Sequence, residues 1–159
     1  MGSKKYPLEP LVDVRREHAD AATRQLGDSV RERETRETEL AAARARTLHH
    51  ADAVDATERS EREALEQGTL RAVDLARQNA WQLQQEREAE ELAHRESRSA
   101  EAVLAAADEE IRARAHTAAR LAELKAVERD RERFVEREKK VALAKEEEAA
   151  EEAWRPQSG

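Results

Sequence analysis

Apolar residues recur along this chain in steps of three and four rather than in twos or in long runs. From Leu8 the series passes through Val12, Arg15, Ala19, Ala22 and Leu26, then Val30, Leu40, Ala51, Val54 and Leu65. Such spacing gathers the series on one helix face and predicts a coiled-coil seam. The steps from Ala22 to Leu26 to Val30 are both fours, which predicts an eleven-residue insertion that locally relaxes a left-handed supercoil. Arg33, Glu37, Arg44, Glu58 and Glu61 interrupt the stripe, so this helix is expected to need a partner for order. Further on, Leu104, Ile111 and Ala118 recur at sevens, with Leu121, Val135 and Ala142 three residues out of phase. These predict the two apolar positions of a second heptad.

Punctuation fixes how the two stripes are joined. The prolines are Pro7, Pro10 and Pro156, and between Leu11 and Arg155 the glycines are Gly27 and Gly68. Proline is tolerated in a first helical turn, where backbone N–H groups have no intrahelical acceptor, so the first helix should start near Leu8. Gln67-Gly68-Thr69 is the credible internal break, with Gly68 able to turn left-handed and Thr69 able to cap the next helix. The expected fold is all-α, a long antiparallel two-helix coiled-coil hairpin forming one elongated domain over residues 1–159. Arm one covers about 8–66, the turn about 67–69 and arm two about 70–154, with disordered ends at 1–6 and 155–159. A chain of this kind would extend roughly 100 Å as a hairpin and about 200 Å as one continuous helix. Arm two is the longer and should leave an unpaired extension or a bend.

Composition supports helix and argues against a globular core. Of the 159 residues 41% are charged and only 3% aromatic, too little bulky apolar matter for a multilayer domain. Glu32 and Arg36, Glu58 and Arg62, Glu91 and Arg95, Glu110 and Arg114, and Glu136 and Lys140 stand four residues apart. Each such pair adds only a few tenths of a kcal/mol, yet together they could sustain a single solvated helix in parts of arm two.

The net charge of −7 arises from 29 basic and 36 acidic residues that interleave, so nucleic acid is not the expected partner. There is no cysteine, which excludes disulfides and thiolate metal sites. No run of 18 apolar residues occurs and the N-terminus lacks a signal peptide's apolar stretch, which predicts a soluble cytoplasmic protein. Gly2-Ser3 could be a cloning remnant.

Catalytic chemistry is not expected. His18, His49, His50, His94 and His116 include no pair at helical ligand spacing, so no metal site is predicted. Carboxylates on an open two-helix surface stay hydrated, and nothing moves them toward acid–base work. There is no glycine-rich phosphate loop, and no cofactor is implied. The few aromatic residues, Tyr6, Trp81, Phe134 and Trp154, are each either a clasp between the arms or an anchor for a partner.

The segment Tyr6-Pro7-Leu8-Glu9-Pro10-Leu11-Val12-Asp13-Val14-Arg15 resembles the opening of the FliJ/YscO family. The pattern there is an aromatic, leucine two on, an apolar pair and then arginine, met here by Tyr6, Leu8, Leu11 with Val12, and Arg15. Ala19-Asp20-Ala21-Ala22, Leu26-Gly27, Leu121-Ala122-Glu123-Leu124-Lys125 and the charged run holding Phe134 extend the similarity over most of the chain. The resemblance implies an antiparallel coiled coil acting as the central stalk of the type III secretion export ATPase hexamer, promoting its assembly and activity. Both chain ends would sit in the ring and the far end would reach the export gate at the inner membrane. Export chaperones are further implied partners, and any membrane association is peripheral, through those partners.

On that reading Leu8, Leu11, Val12, Leu121, Leu124 and Phe134, with Arg15, Arg16, Arg129 and Arg133, form the ATPase-binding end. Leu8, Leu11, Val12 and Leu121 are expected to join the arms, while Arg15, Arg16, Arg129, Arg131 and Arg133 face outward. Leu40, Trp81 and Leu92 form the gate contact, although Arg46 and His50 replace tyrosines of the family pattern and Gln85 an apolar residue. The alternative is a generic cytoplasmic coiled-coil scaffold or tether.

Overall fold

A computed structural model describes residues 4–156, and the expectations for residues 1–3 and 157–159, including Gly2-Ser3, lie outside them. Two helices account for nearly all of it: α1, Glu9–Glu66, and α2, Ala72–Trp154. No strand occurs among the described residues. The chain folds as the expected all-α hairpin, with α1 and α2 antiparallel. Contacts divide it into two units, one combining Met1–Gly27 with Arg112–Gly159 and the other covering Asp28–Ile111.

The second unit contains the turn. Gly68 has φ 71°, and its N–H donates to the Leu65 carbonyl at 3.1 Å while the Thr69 N–H donates to Ala64 at 3.0 Å. This is the paired closure that ends a helix on a left-handed residue. The Thr69 hydroxyl donates to the same Ala64 carbonyl at 2.9 Å, so Thr69 finishes α1 rather than capping α2 as expected. Arg71 opens α2 instead: its N–H donates to the Asp74 carboxylate at 2.9 Å and its carbonyl accepts from the Asp74 N–H at 2.9 Å, a reciprocal cap. A Cβ on Gly68 would meet no atom within 4 Å, so Gly68→Ala should cost only the left-handed backbone penalty. A loss of about 1 kcal/mol is expected, measurable as a lower thermal midpoint.

Along α1 in this unit the shielded positions run Ser29, Arg33, Arg36, Leu40, Ala43, Thr47, His50 and Val54. In the first unit they are Val12, Arg15, Ala19, Ala22 and Leu26. Both series alternate threes and fours, and from Leu26 the next shielded step to Ser29 is a three. Val30, on which the predicted eleven-residue insertion rests, is half-buried like Ser29. Ala51 and Leu65, expected in the seam, are exposed, whereas Arg33 lies within it.

The larger correction concerns α2. Leu104, Ile111, Ala118, Leu121, Val135 and Ala142 are all exposed, Leu104 at 67% and Ile111 at 65%. The shielded frame lies one residue earlier: Val103, Ala106 and Glu110 in the second unit, and Ala113, Thr117, Arg120, Leu124, Val127, Arg131 and Phe134 in the first. A shift of one residue rotates the inward face by about 100°. Polar groups in this frame are matched one by one. The Glu110 carboxylate accepts from Arg33 Nε. The Thr117 hydroxyl lies 3.1 Å from the Ala22 carbonyl across the seam and 2.8 Å from that of Ala113 within α2. Such a cross-helix contact to backbone requires close approach, which small Ala19 and Ala22 permit.

Candidate functional site

Two places gather the residues singled out from the sequence, one in each unit. In the first unit α1 begins against the late part of α2. Tyr6, assigned by sequence to a disordered end, is instead buried against Phe134, with ring centroids 5.5 Å apart at 58°, a tilted aromatic pair. Its hydroxyl donates to Asp130 Oδ2 at 2.5 Å. One turn further in, Arg131 donates to Glu9 at 3.0 Å, and Arg15 to Glu123 Oε2 at 2.6 Å. Arg120 reaches the same oxygen at 3.1 Å.

This arrangement reverses part of the expected division of labour. Val12 is fully buried, Leu11 and Leu124 half-buried, but Leu8 and Leu121 are 48% and 40% exposed and do not close the seam. Arg15 and Arg131 turn inward to carboxylates of the opposite helix rather than outward. One terminal nitrogen of each finds a carboxylate across the seam, while Arg15 Nε is buried without a hydrogen-bond partner. Arg16, Arg129 and Arg133 do face solvent, Arg16 within 3.7 Å of Glu128. With Arg137 and Lys140, which the sequence reading left out of the site, Arg129 and Arg133 line an exposed polar face also holding Asp130, Glu132 and Glu136. The four-residue repetition of arginine at 129, 133 and 137 was the available signal. Beyond Glu138 every described residue is exposed, including Val141, Leu143 and Trp154 at 86%.

Two titrations mark this clasp. Hydrogen bonding to Asp130, then burial and the carboxylates of Asp130 and Glu9, raise the Tyr6 pKa above its ordinary 10.0. Ionising Tyr6 is thus harder in the folded chain, so its contribution is complete below about pH 10 and is lost as pH rises through the folded value. The hydrogen bond from Arg120 and the charges of Arg15 and Arg120 hold Glu123 below its ordinary 4.5; that contribution is present above about 4.5 and lost as pH falls through the lower folded value. Tyr6 is the single tyrosine, so tyrosinate absorbance reports it alone. The folded chain should titrate at higher pH than the urea-unfolded chain, and Asp130→Asn should move the midpoint back toward 10.0.

In the second unit the three expected gate residues separate. Leu40 is buried and Leu92 half-buried in the seam, whereas half-buried Trp81 lines an open groove between α1 and α2 with His50, Val54 and Gln85 among its neighbours. Two departures from the family pattern meet here: His50 Nε2 lies 3.0 Å from Gln85 Oε1 and 3.5 Å from Glu88. A polar pair thus occupies this level of the seam. Arg46 is exposed. Among the described residues no group of three or more histidines and carboxylates is placed to hold a metal ion, and no helix is long and apolar enough to cross a membrane.

The fold defines an all-α helical-hairpin protein whose candidate surfaces are helix faces and an inter-helix groove. Its likeness to a solved structure runs nearly end to end: CT670 of Chlamydia trachomatis, a proposed YscO homolog, matches at TM-score 0.79 with 23% identity, over 94% of this chain and 92% of that one. No protein-family model matches the chain, and no curated protein matches its sequence.

Proposed function

We propose that this chain is the non-enzymatic central stalk of a type III export ATPase, flagellar or of the injectisome kind. The observation that carries this reading is the full-length fold likeness to a proposed YscO homolog, reached independently of the Tyr6 to Arg15 pattern that first suggested the family. The clasp between Tyr6 and Phe134 adds physical support, because it joins the Tyr6 to Arg15 segment to the late charged run that also carries the resemblance. On this reading the ring contacts Leu8, Arg16, Leu121, Arg129 and Arg133, the exposed members of the expected set. Val12, Arg15 and Phe134 act indirectly by holding the helices together. Trp81 supplies the gate contact, export chaperones are further partners, and the chain works at the cytoplasmic face of the inner membrane.

The deciding experiment mixes the purified chain with a type III export ATPase and follows hydrolysis and ring assembly. Stimulation with a shift toward hexamer is expected; an unchanged rate and oligomer state would leave a generic scaffold or tether as the better reading. Charge reversal at Arg16, Arg129 and Arg133 together should raise the concentration giving half-maximal stimulation by about tenfold, equivalent to about 1.4 kcal/mol of binding, while helicity stays unchanged.

A further inference from the structure

The groove beside Trp81 has a composition that its position in the seam does not require. It encloses about 420 Å³, within the range of roughly 300–1,000 Å³ in which ligand pockets fall. Trp81 lies on one side, while Asp55, Glu58 and Glu86 bring three carboxylates to a lining that contains no lysine or arginine. None of the three forms an ion pair with another described residue. By contrast, two half-buried carboxylates of the seam are paired across it, Glu123 with Arg15 and Glu9 with Arg131. His50, the one other titratable group facing the groove, is engaged by Gln85 and Glu88. An indole beside unpaired carboxylates selects for a cation. An acidic guest would meet like charge, and a purely apolar one would strip water from three carboxylates without replacing it.

We infer that this groove docks a basic segment of a partner protein, with an arginine guanidinium stacked on the Trp81 indole and its N–H groups directed at Asp55, Glu58 and Glu86. Arginine suits the site better than lysine because its planar fork can stack and donate to carboxylates simultaneously. The inference rests on the composition of the groove and stands whether or not the partner belongs to an export apparatus.

The test uses the full chain carrying Trp154→Phe. Since the sequence has two tryptophans, this leaves Trp81 as the sole indole reporter. The probes are short acetylated peptides of one apolar framework bearing paired arginines, lysines, glutamines or glutamates. The arginine peptide should change Trp81 fluorescence saturably, more tightly than the lysine peptide, and its binding should weaken as salt rises. Asp55→Asn, Glu58→Gln and Glu86→Gln combined should weaken it more than tenfold with unchanged helicity. Equal binding of the glutamine peptide, undiminished binding by the triple variant, or no saturable response to the arginine peptide would each overturn the inference. ATPase stimulation, measured separately on the same chain, reports on the stalk reading and is not decided by these outcomes.

Discussion

Val12→Asp is expected to remove about 3 kcal/mol or more of stability, seen as a sharply lower urea midpoint in far-ultraviolet circular dichroism and a loss of the cooperative transition's early baseline. Val12 has 0% exposure and is the largest fully buried side chain. Aspartate there would put a carboxylate where water does not reach it, and burying a charge belongs to the short list of severely destabilising changes. The favourable effect of an acidic residue near a helix N-terminus is worth at most about 1 kcal/mol and does not offset it. Leu8→Asp, four residues earlier and 48% exposed, should change stability by no more than about 0.5 kcal/mol. The contrast separates two roles that one sequence motif merges. If both variants lose ATPase stimulation, only the Leu8 result speaks to a ring contact, because the Val12 variant loses the clasp itself. A Val12 variant as stable as the parent would contradict the packing described for this unit.

Much of the fold was legible because helix signals here are strong and punctuation is sparse. Gly68 marked the turn since a left-handed residue is needed there and few other glycines compete. The faces of the helices were less legible. Leu104 and Ile111 stand at sevens and carry more apolar area than Val103, Ala106 and Glu110, so a rule that turns the largest apolar residues inward selects the wrong frame of α2. What decides the frame is pairwise: Glu110 has Arg33 opposite, Thr117 has the Ala22 carbonyl, and alanines at 19 and 22 let the backbones come close. None of these matches is visible in one helix alone. The same limitation hid the roles of Arg15 and Arg131, whose outward placement follows from charge but whose inward turn follows from Glu123 and Glu9 across the seam. Of the candidate surfaces, Trp81 was legible as a rare aromatic; its three acidic neighbours were not, because Asp55 and Glu58 come from α1 and Glu86 from α2.

The exposed apolar frame on α2 makes the seam's polar residues a question of specificity as well as stability. Glu110→Ala should lower stability by about 1.5–3 kcal/mol, read as a shift of the urea midpoint, because the Glu110 side chain is only 8% exposed and its loss removes a shielded charge-assisted hydrogen bond, leaving Arg33 with the more exposed Glu37. Its loss also removes the feature that disfavours rotating Ile111 inward, since an alanine at 110 tolerates either frame. Replacing both partners by apolar residues, Arg33→Met with Glu110→Leu, should restore or exceed the parent's stability while leaving Val103 and Leu104 frames closer in energy. The chain has no cysteine, so introduced pairs report the frame directly. Ala22→Cys with Thr117→Cys should cross-link readily in the parent, and Ala22→Cys with Ala118→Cys poorly. In the doubly apolar background the second pair should gain at the expense of the first. If the Glu110→Ala midpoint moved by less than the equivalent of about 0.5 kcal/mol, the pair would contribute no more than an exposed one, and register would have to be set by the alanines and Thr117 alone.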